Sequence, residues 1–348
     1  MENEIKVVVF GLGPLGVAIA KGMLDKKGMR IVGAVDIAKD LSGKDLGEVL
    51  NLGKTLGVTV TSDAEGLLSR VKADIAVVAT KSSIKDIHPQ LILCAKAGVD
   101  VISTCEELAY PYYRYAEVSN EIDQLAKKHG VTILGTGINP GYLMDVLPIT
   151  LTGACLRVDS IKVTRMMDSS KRRIPYQKKI GTGLTPEEFA KMIREKTITG
   201  HVGLPESAAM IAAALGWKLD EIKEFAPEPF IAQKQVVTSY TTVKPGCVTG
   251  LKSVAHGIKD GKPVILMEFV SHAGVQEEYD AVSIEGVPKV NERIIGGVHG
   301  DVGTVAVIVN TIPKVLNAEP GLVTMKDLPL PSVLSQDIRV YLRSSNYS

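Results

Sequence analysis

Lys6-Val7-Val8-Val9-Phe10-Gly11-Leu12-Gly13-Pro14-Leu15-Gly16 decides the fold of this chain. Residues 6–10 read as a strand, apolar after Lys6 and rich in β-branched valine. Such runs belong to strands buried on both faces, as in parallel sheets. Glycines at 11, 13 and 16 follow at once, and a helical pattern runs from about 17 to 26. A second strand, residues 30–35, ends at Asp36. The spacing G-x-G-x-x-G is weak alone. Between a strand and a helix, with an acid roughly 20 residues on, it marks a dinucleotide-binding unit. Gly11 allows the tight turn, Gly13 leaves room for a pyrophosphate, and Gly16 lets helix and strand lie close. Leu12, Pro14 and Leu15 complete the loop, and the helix start offers amides and positive charge to phosphates. Asp36 suits the adenosine ribose hydroxyls, which favours NAD, while Lys39 keeps NADP open. The rival reading is a glycine-rich turn without a cofactor.

The pattern continues outward. Strands at 74–80, 99–104 and 131–134 alternate with helices at 87–97 and 115–129, which Gly98 and Gly130 stop. This alternation implies a doubly wound parallel sheet, α/β in class. Thr80-Lys81-Ser82-Ser83 leaves a later strand on the carboxyl edge. Thr80 and Lys81 are candidates for the ribose or nicotinamide, with a plain surface turn as the equal alternative. After about residue 145 the grammar changes. A strand at 159–167 precedes two helices, one opened by the capping box Thr185-Pro186-Glu187-Glu188, the other spanning 204–215. Strand-like stretches follow at 233–242, 252–258, 264–272 and 281–287, with Asp260-Gly261 as a hairpin turn. This half is read as an α+β domain with a mixed or antiparallel sheet. From Gly303 an apolar helix returns to the first domain, and Pro329, Pro331 and the polar tail to Ser348 read as a surface extension. The expected domains are 1–145, with 303–348 packing back on it, and 146–302.

Composition narrows the partners. A chain of 348 residues exceeds what one core usually serves. Forty Lys+Arg against 39 Asp+Glu leave a net charge of +1, so no overall field draws nucleic acid or an anionic membrane. The one dense basic run, Lys171-Arg172-Arg173, reads first as a solvated loop and second as a phosphate or carboxylate site. Cys94, Cys105, Cys155 and Cys247 form no C-x-x-C pair, which argues against structural zinc or a redox dithiol, and the histidines show no metal spacing. No run approaches the roughly 20 apolar residues that span a bilayer. The N-terminal residues lack the pattern of a signal peptide. A cytoplasmic enzyme is expected. A homodimer is expected too, because long strands offer a sheet face to bury.

Chemistry on such a sheet lies outside the carboxyl ends of its strands. Two segments stand there. Ser103-Thr104-Cys105-Glu106-Glu107-Leu108 leaves one strand, and Gly135-Thr136-Gly137-Ile138-Asn139-Pro140-Gly141-Tyr142 leaves another. With Gly43-Lys44-Asp45-Leu46-Gly47 and Gly200-His201-Val202-Gly203-Leu204-Pro205-Glu206-Ser207, these segments resemble the 2,4-diaminopentanoate dehydrogenases and native amine dehydrogenases. That group is dihydrodipicolinate reductase-like, with an N-terminal Rossmann domain. The resemblance covers nearly the whole chain. It implies NAD(P)-dependent oxidative deamination of a small amine or diamino acid. The named reaction takes 2,4-diaminopentanoate to 2-amino-4-oxopentanoate and ammonia, a step of ornithine degradation.

The resemblance also implies a catalytic glutamate at Glu106 or Glu107. Glu106 is favoured because related homoserine dehydrogenases place a catalytic lysine at the equivalent strand end. Chemistry agrees, since hydride leaves only a neutral amine and a carboxylate can take the ammonium proton and later activate water. The alternative is that both glutamates cap the helix that follows. Asn139, Tyr142 and His201 are candidate substrate contacts. Arg165, Arg172 and Arg173 are candidates for a substrate carboxylate, with no choice among them. His256, His272 and His299 read as structural. Rival functions are another reductase of the dihydrodipicolinate reductase or homoserine dehydrogenase group, an imine reductase, and a non-catalytic dinucleotide sensor. The missing His-His pair argues against the first of these activities.

Overall fold

A computed structural model describes residues 4–343. Two compact units emerge: one joins the residues through Tyr142 to those from Gly300 onward, and the other is Leu143–His299. The first unit opens with β1 (Ile5–Phe10), α1 (Pro14–Leu24) and β2 (Met29–Val35). Ile5, Val7, Val8 and Val9 are fully buried, as the valine run requires. Proline opens α1 at the position where its missing N–H costs nothing. Then come α2 (Leu46–Val49), β3 (Val60–Thr61), α3 (Ala64–Arg70), β4 (Ile75–Val78), α4 (Ile84–Lys96) and β5 (Asp100–Ser103). The series closes with α5 (Ala116–His129) and β6 (Thr132–Gly135). Gly130 ends α5 in the left-handed conformation at φ 68°. The stretch between β2 and β3 carries no strong periodicity. Asp45 organises it by accepting the amides of Gly47, Leu56 and Gly57.

The second unit holds α6 (Val146–Thr152), β7 (Arg157–Asp168), α7 (Ile174–Lys179), α8 (Pro186–Arg194) and α9 (Leu204–Ala214). Its later strands are β8 (Glu221–Glu224), β9 (Glu228–Ile231), β10 (Val236–Val237), β11 (Thr242–Val243), β12 (Val248–Lys259), β13 (Lys262–His272), β14 (Tyr279–Val287) and β15 (Val290–Ile295). The main sheet has the order β15-β14-β7-β13-β12-β8, with β9 also on β12. Only β7 and β13 run parallel, so the sheet is mixed. The capping box forms: Thr185 Oγ1 accepts the Glu188 amide, and Glu188 accepts the Thr185 amide at 2.8 Å. Asp260 and Gly261 turn the β12–β13 hairpin with φ of 52° and 69°. Alanine-rich α9 is buried almost all round and lies on β12 and β13. The strand expected over residues 233–242 is not there. Thr238 Oγ1 accepts the amides of Tyr240 and Thr241, closing a turn that leaves only the short β10–β11 pair.

The chain then returns to the first unit as α10 (Gly300–Leu316) and β16 (Gly321–Val323). α10 lies against α1, β5 and β6, and β16 pairs with β6. Among the described residues the parallel sheet has the order β16-β6-β5-β4-β1-β2-β3. The described tail beyond Pro329 is mostly exposed, as a surface segment, but it is pinned to the first unit at two points. Leu334 and Ile338 are buried, the Ile338 amide donates to Lys27 O at 3.0 Å, and Lys26 Nζ donates to Leu334 O at 3.0 Å. Isolated apolar residues in a polar segment give no periodic signal, yet each fills a gap. Pro329 stays exposed, and residues 344–348 lie outside the described part.

Candidate active site

The glycine loop is shaped by what its side chains would hit. A Cβ on Gly16 would lie 1.9 Å from Gly11 O, and one on Gly11 would lie 2.5 Å from Ala79 O. These two glycines let α1, the loop and the end of β4 close on one another. A Cβ on Gly13 would meet nothing within 4 Å, and Gly13 and Pro14 are exposed. Closed packing behind and open space in front is the form a pyrophosphate cradle takes. Asp36, half-buried at the end of β2, braces the loop: Oδ2 accepts the Leu12 amide at 2.6 Å and Oδ1 the Ala38 amide at 2.8 Å. Each oxygen keeps a lone pair for a ribose hydroxyl. Lys39 and Lys81 are exposed, and Thr80 Oγ1 donates to Gln90 Oε1 at 2.8 Å. Leu15 is half-buried on the first turn of α1. These residues fit a dinucleotide.

Beside this cradle the strand ends are stitched together. The Ala79 amide donates to Phe10 O, the Thr104 amide to Val78 O, and the Thr136 amide to Ser103 O. Glu106, Glu107 and Leu108 form a single 3-10 turn after β5. The two glutamates differ sharply. Glu107 Oε2 accepts the Ile84 amide at 2.9 Å, capping α4, whose own N-cap Ser83 makes no side-chain bond. Thus Glu107 does cap a helix, but the one preceding it rather than the one that follows. Among the described residues no group hydrogen-bonds the half-buried Glu106 carboxylate. Neighbouring Cys105 is buried, its thiol pushed well above the usual range by desolvation, and it donates to Ser82 O at 3.0 Å. It is a structural thiol, not a nucleophile.

Gly135 belongs to the same construction, since a Cβ there would fall 2.4 Å from the Leu108 carbonyl carbon. The loop beyond it curls tightly: Gly141 has φ 121° and a Cβ would lie 2.4 Å from Thr136 Oγ1. Thr304 Oγ1 on α10 accepts the Ile138 amide at 3.4 Å. Half-buried Asn139 and Tyr142 follow on this loop, with a cis bond before Pro140. The structure therefore gathers the cofactor candidates, Glu106 and the Asn139 loop on one edge of one sheet.

His201 belongs to the other unit. Its ring stacks on Phe269 at 4.1 Å and 12°. Burial, then the charges of Lys179 and Arg165, push its pKa down to about 3, so the imidazole is neutral. Arg165 is buried, with Nη1 3.3 Å from Asp280 Oδ1 and Nη2 donating to Val298 O. Arg173 is exposed at the start of α7, whereas Arg172 is buried over the Tyr176 ring at 4.3 Å. In the same unit Asp145 is fully buried and bonded by Ser207 Oγ at 2.7 Å, and Glu206, part of the segment Gly200–Ser207, is buried in the first turn of α9. Among the described residues no group of three or more His, Cys, Asp or Glu is placed to hold a metal, and no helix is long and apolar enough to cross a membrane.

Comparison with known proteins gives two family matches. Residues 5–134 match the dihydrodipicolinate reductase N-terminus, and residues 142–344 match the 2,4-diaminopentanoate dehydrogenase C-terminal domain. The chain is 37% identical over 342 residues to a 2,4-diaminopentanoate dehydrogenase of Acetoanaerobium sticklandii, covering 97% of each. It is 26% identical to an amine dehydrogenase of Streptomyces virginiae, over 94% of this chain and 96% of that one. Among solved structures, an amine dehydrogenase from Mycobacterium smegmatis matches with a TM-score of 0.83 at 30% identity, over 95% of this chain and 98% of the other.

Proposed function

Because the chain belongs to the 2,4-diaminopentanoate dehydrogenase family, we propose that it oxidatively deaminates 2,4-diaminopentanoate to 2-amino-4-oxopentanoate and ammonia. It is an oxidoreductase with a dinucleotide-binding Rossmann domain, and its cofactor is NAD or NADP. The single observation that carries the reading is the contrast at the end of β5. Glu107 is engaged by the α4 amide, while the Glu106 carboxylate is left for chemistry.

Glu106 takes a proton from the substrate ammonium, leaving a neutral amine. Nicotinamide held beside the glycine loop would supply the hydride acceptor for the amine-bearing carbon. Glu106 then assists a water that adds to the resulting imine carbon, and the carbon–nitrogen bond breaks to give ketone and ammonia. Ammonium, oxidised cofactor and water become ketone, ammonium ion, reduced cofactor and one proton. Gly11, Gly13 and Gly16 with Leu12, Pro14 and Leu15 hold the pyrophosphate in this reading. Asp36 holds the ribose, Lys39 receives a 2′-phosphate where one is present, and Thr80 and Lys81 flank the nicotinamide half. Asn139 and Tyr142 contact the amine. A neutral His201 contributes hydrogen bonding rather than charge. The same reading places the protein in the cytoplasm, in ornithine breakdown, as a homodimer through its second sheet.

The test is reduction of NAD and NADP by a panel of diamino acids and simple amines, followed by the absorbance of reduced nicotinamide. Reduction with 2,4-diaminopentanoate is expected. Silence with every amine overturns the reading. Sedimentation equilibrium checks the dimer.

A further inference from the structure

The loop between β4 and α4 runs from the glycine loop to the turn that carries Glu106, and it is fixed at both ends. Its first residues pack against the glycine loop. A Cβ on Gly11 would fall 2.5 Å from Ala79 O and 3.0 Å from Thr80 Cγ2, and one on Gly16 would fall 3.7 Å from the Ala79 Cβ. Its last residues are tied to the turn after β5. Ser82 O accepts the Glu107 amide at 3.2 Å and the Cys105 thiol at 3.0 Å, and the Ile84 amide donates to Glu107 Oε2 at 2.9 Å. Thr80 Oγ1 adds a bond to Gln90 Oε1, inside α4. Between these ties Lys81 is exposed, and Ser82 and Ser83 are half-buried.

The tie through Glu107 exceeds what α4 needs for itself. Ser83 stands at the N-cap and is of a type that caps helices well, yet its side chain makes no capping bond. A local cap would satisfy the first turn and leave it free to shift against β5. A carboxylate 23 residues further on satisfies the same turn and also fixes where the helix start sits. The turn that supplies it is itself firmly held. Ser103 Oγ donates to Val78 O at 3.0 Å and accepts the Cys105 amide at 3.1 Å, and a Cβ on Gly135 would fall 2.6 Å from the Leu108 Cβ. A loop that faces a ligand keeps its shape only as well as the groups behind it.

We propose that Glu107 is a positioning residue of the cofactor site, which sets the affinity for the dinucleotide by holding the Thr80–Ser83 loop in its binding shape. The proposal rests on the reading that places Thr80 and Lys81 along the nicotinamide half, and it deepens that reading. Without the carboxylate the loop samples other positions. The apparent dissociation constant then rises as the share of molecules in the binding shape falls.

The experiment titrates NADH and NADPH, followed by nicotinamide fluorescence, into the wild type, Glu107→Gln and Glu107→Ala, well below their melting temperatures. Glu107→Ala has lost the acceptor and binds about 3- to 10-fold more weakly, the fold-change of one lost cap. Glu107→Gln stays close to the wild type, because its side-chain oxygen still accepts the Ile84 amide. In turnover the cofactor KM of Glu107→Ala rises while kcat at saturating cofactor is kept. A cap that served only the helix would move the melting midpoint and neither the affinity nor the KM. Wild-type affinity in Glu107→Ala overturns the proposal. So does a Glu107→Gln protein as weak as the alanine variant, since charge rather than the hold on Ile84 would then be at work. Should the variants fail to fold, hydrogen exchange in the wild type decides: bound NADH slows exchange in residues 82–84 and 105–108 together, and protection of neither stretch, or of the first alone, overturns the proposal. A wild type that binds neither nucleotide overturns the cofactor reading and the proposal with it. Silence with every amine overturns the deamination reading alone, because binding decides here.

Discussion

Glu106 and Glu107 are adjacent and chemically alike, yet only Glu107 takes a backbone amide. Glu107 holds an amide 23 residues earlier in the chain, so Glu107→Ala should lower stability by about 1 kcal/mol, as lost helix caps do. Denaturant melting checks this, with kcat largely kept. Glu106→Gln should do the reverse, with melting unchanged and kcat down by roughly 10²- to 10⁴-fold, the usual weight of general acid–base catalysis. An active Glu106→Gln enzyme would remove Glu106 from the mechanism. The glutamate pair was legible in sequence, and the resemblance favoured Glu106, but the hold of Glu107 on the Ile84 amide was not legible, because it depends on a long-range partner. The glycines separate in the same way. Gly13→Val should raise the cofactor KM while the protein still folds, since nothing stands within 4 Å of that Cβ. Gly16→Ala should abolish folding of the first unit, as its Cβ would overlap Gly11 O at 1.9 Å. Soluble expression and cofactor titration of the two variants test the contrast.

Whole elements were legible in proportion to their length and to the strength of their end signals. α5 with its glycine stop and α8 with its capping box are where local chemistry places them. Thr185→Ala should therefore cost about 1 kcal/mol, read as a lower unfolding midpoint at constant denaturant slope. Two- and three-residue strands such as β3 and β16 carry no period of their own. They are strands because a neighbour's free edge pairs with them. The polar stretch of residues 233–242 misled for the opposite reason. Its alternation suits a strand, but Thr238 offers its hydroxyl to two backbone amides and the turn wins.

For the molecule as a whole, two buried groups make stability depend on pH in opposite senses. Burial raises the Asp100 carboxyl to about 7, against the pull of the Thr132 amide. The native state then binds more protons than the unfolded chain between about pH 4 and pH 7, so stability falls as pH rises through that window. His201, lowered to about 3 by burial and nearby cations, does the reverse: its unfolded form takes the proton first, so stability falls as pH drops below about 6.5. Asp100→Asn should remove the first trend and leave a steeper gain from pH 4 to 7, measured by denaturant titrations at several pH values. An unchanged profile would show that Asp100 ionises freely. At this scale the fold class followed from the alternation of strands and helices. Burial of Asp100, His201 and Arg172 did not, because burial depends on which segments meet.

Residues 300–343 complete the first unit, with α10 packed against α1 and β16 seated on the free edge of β6. During translation the cofactor half therefore leaves the ribosome unfinished, and the second unit is synthesised in full before the missing helix and strand arrive. Until then β6 presents an open edge and β5 an uncovered apolar face, which favours escort by a chaperone and early folding of the second unit. A ribosome-bound fragment ending at residue 142 should remain protease-sensitive. Resistance should appear only when the chain has been extended past β16.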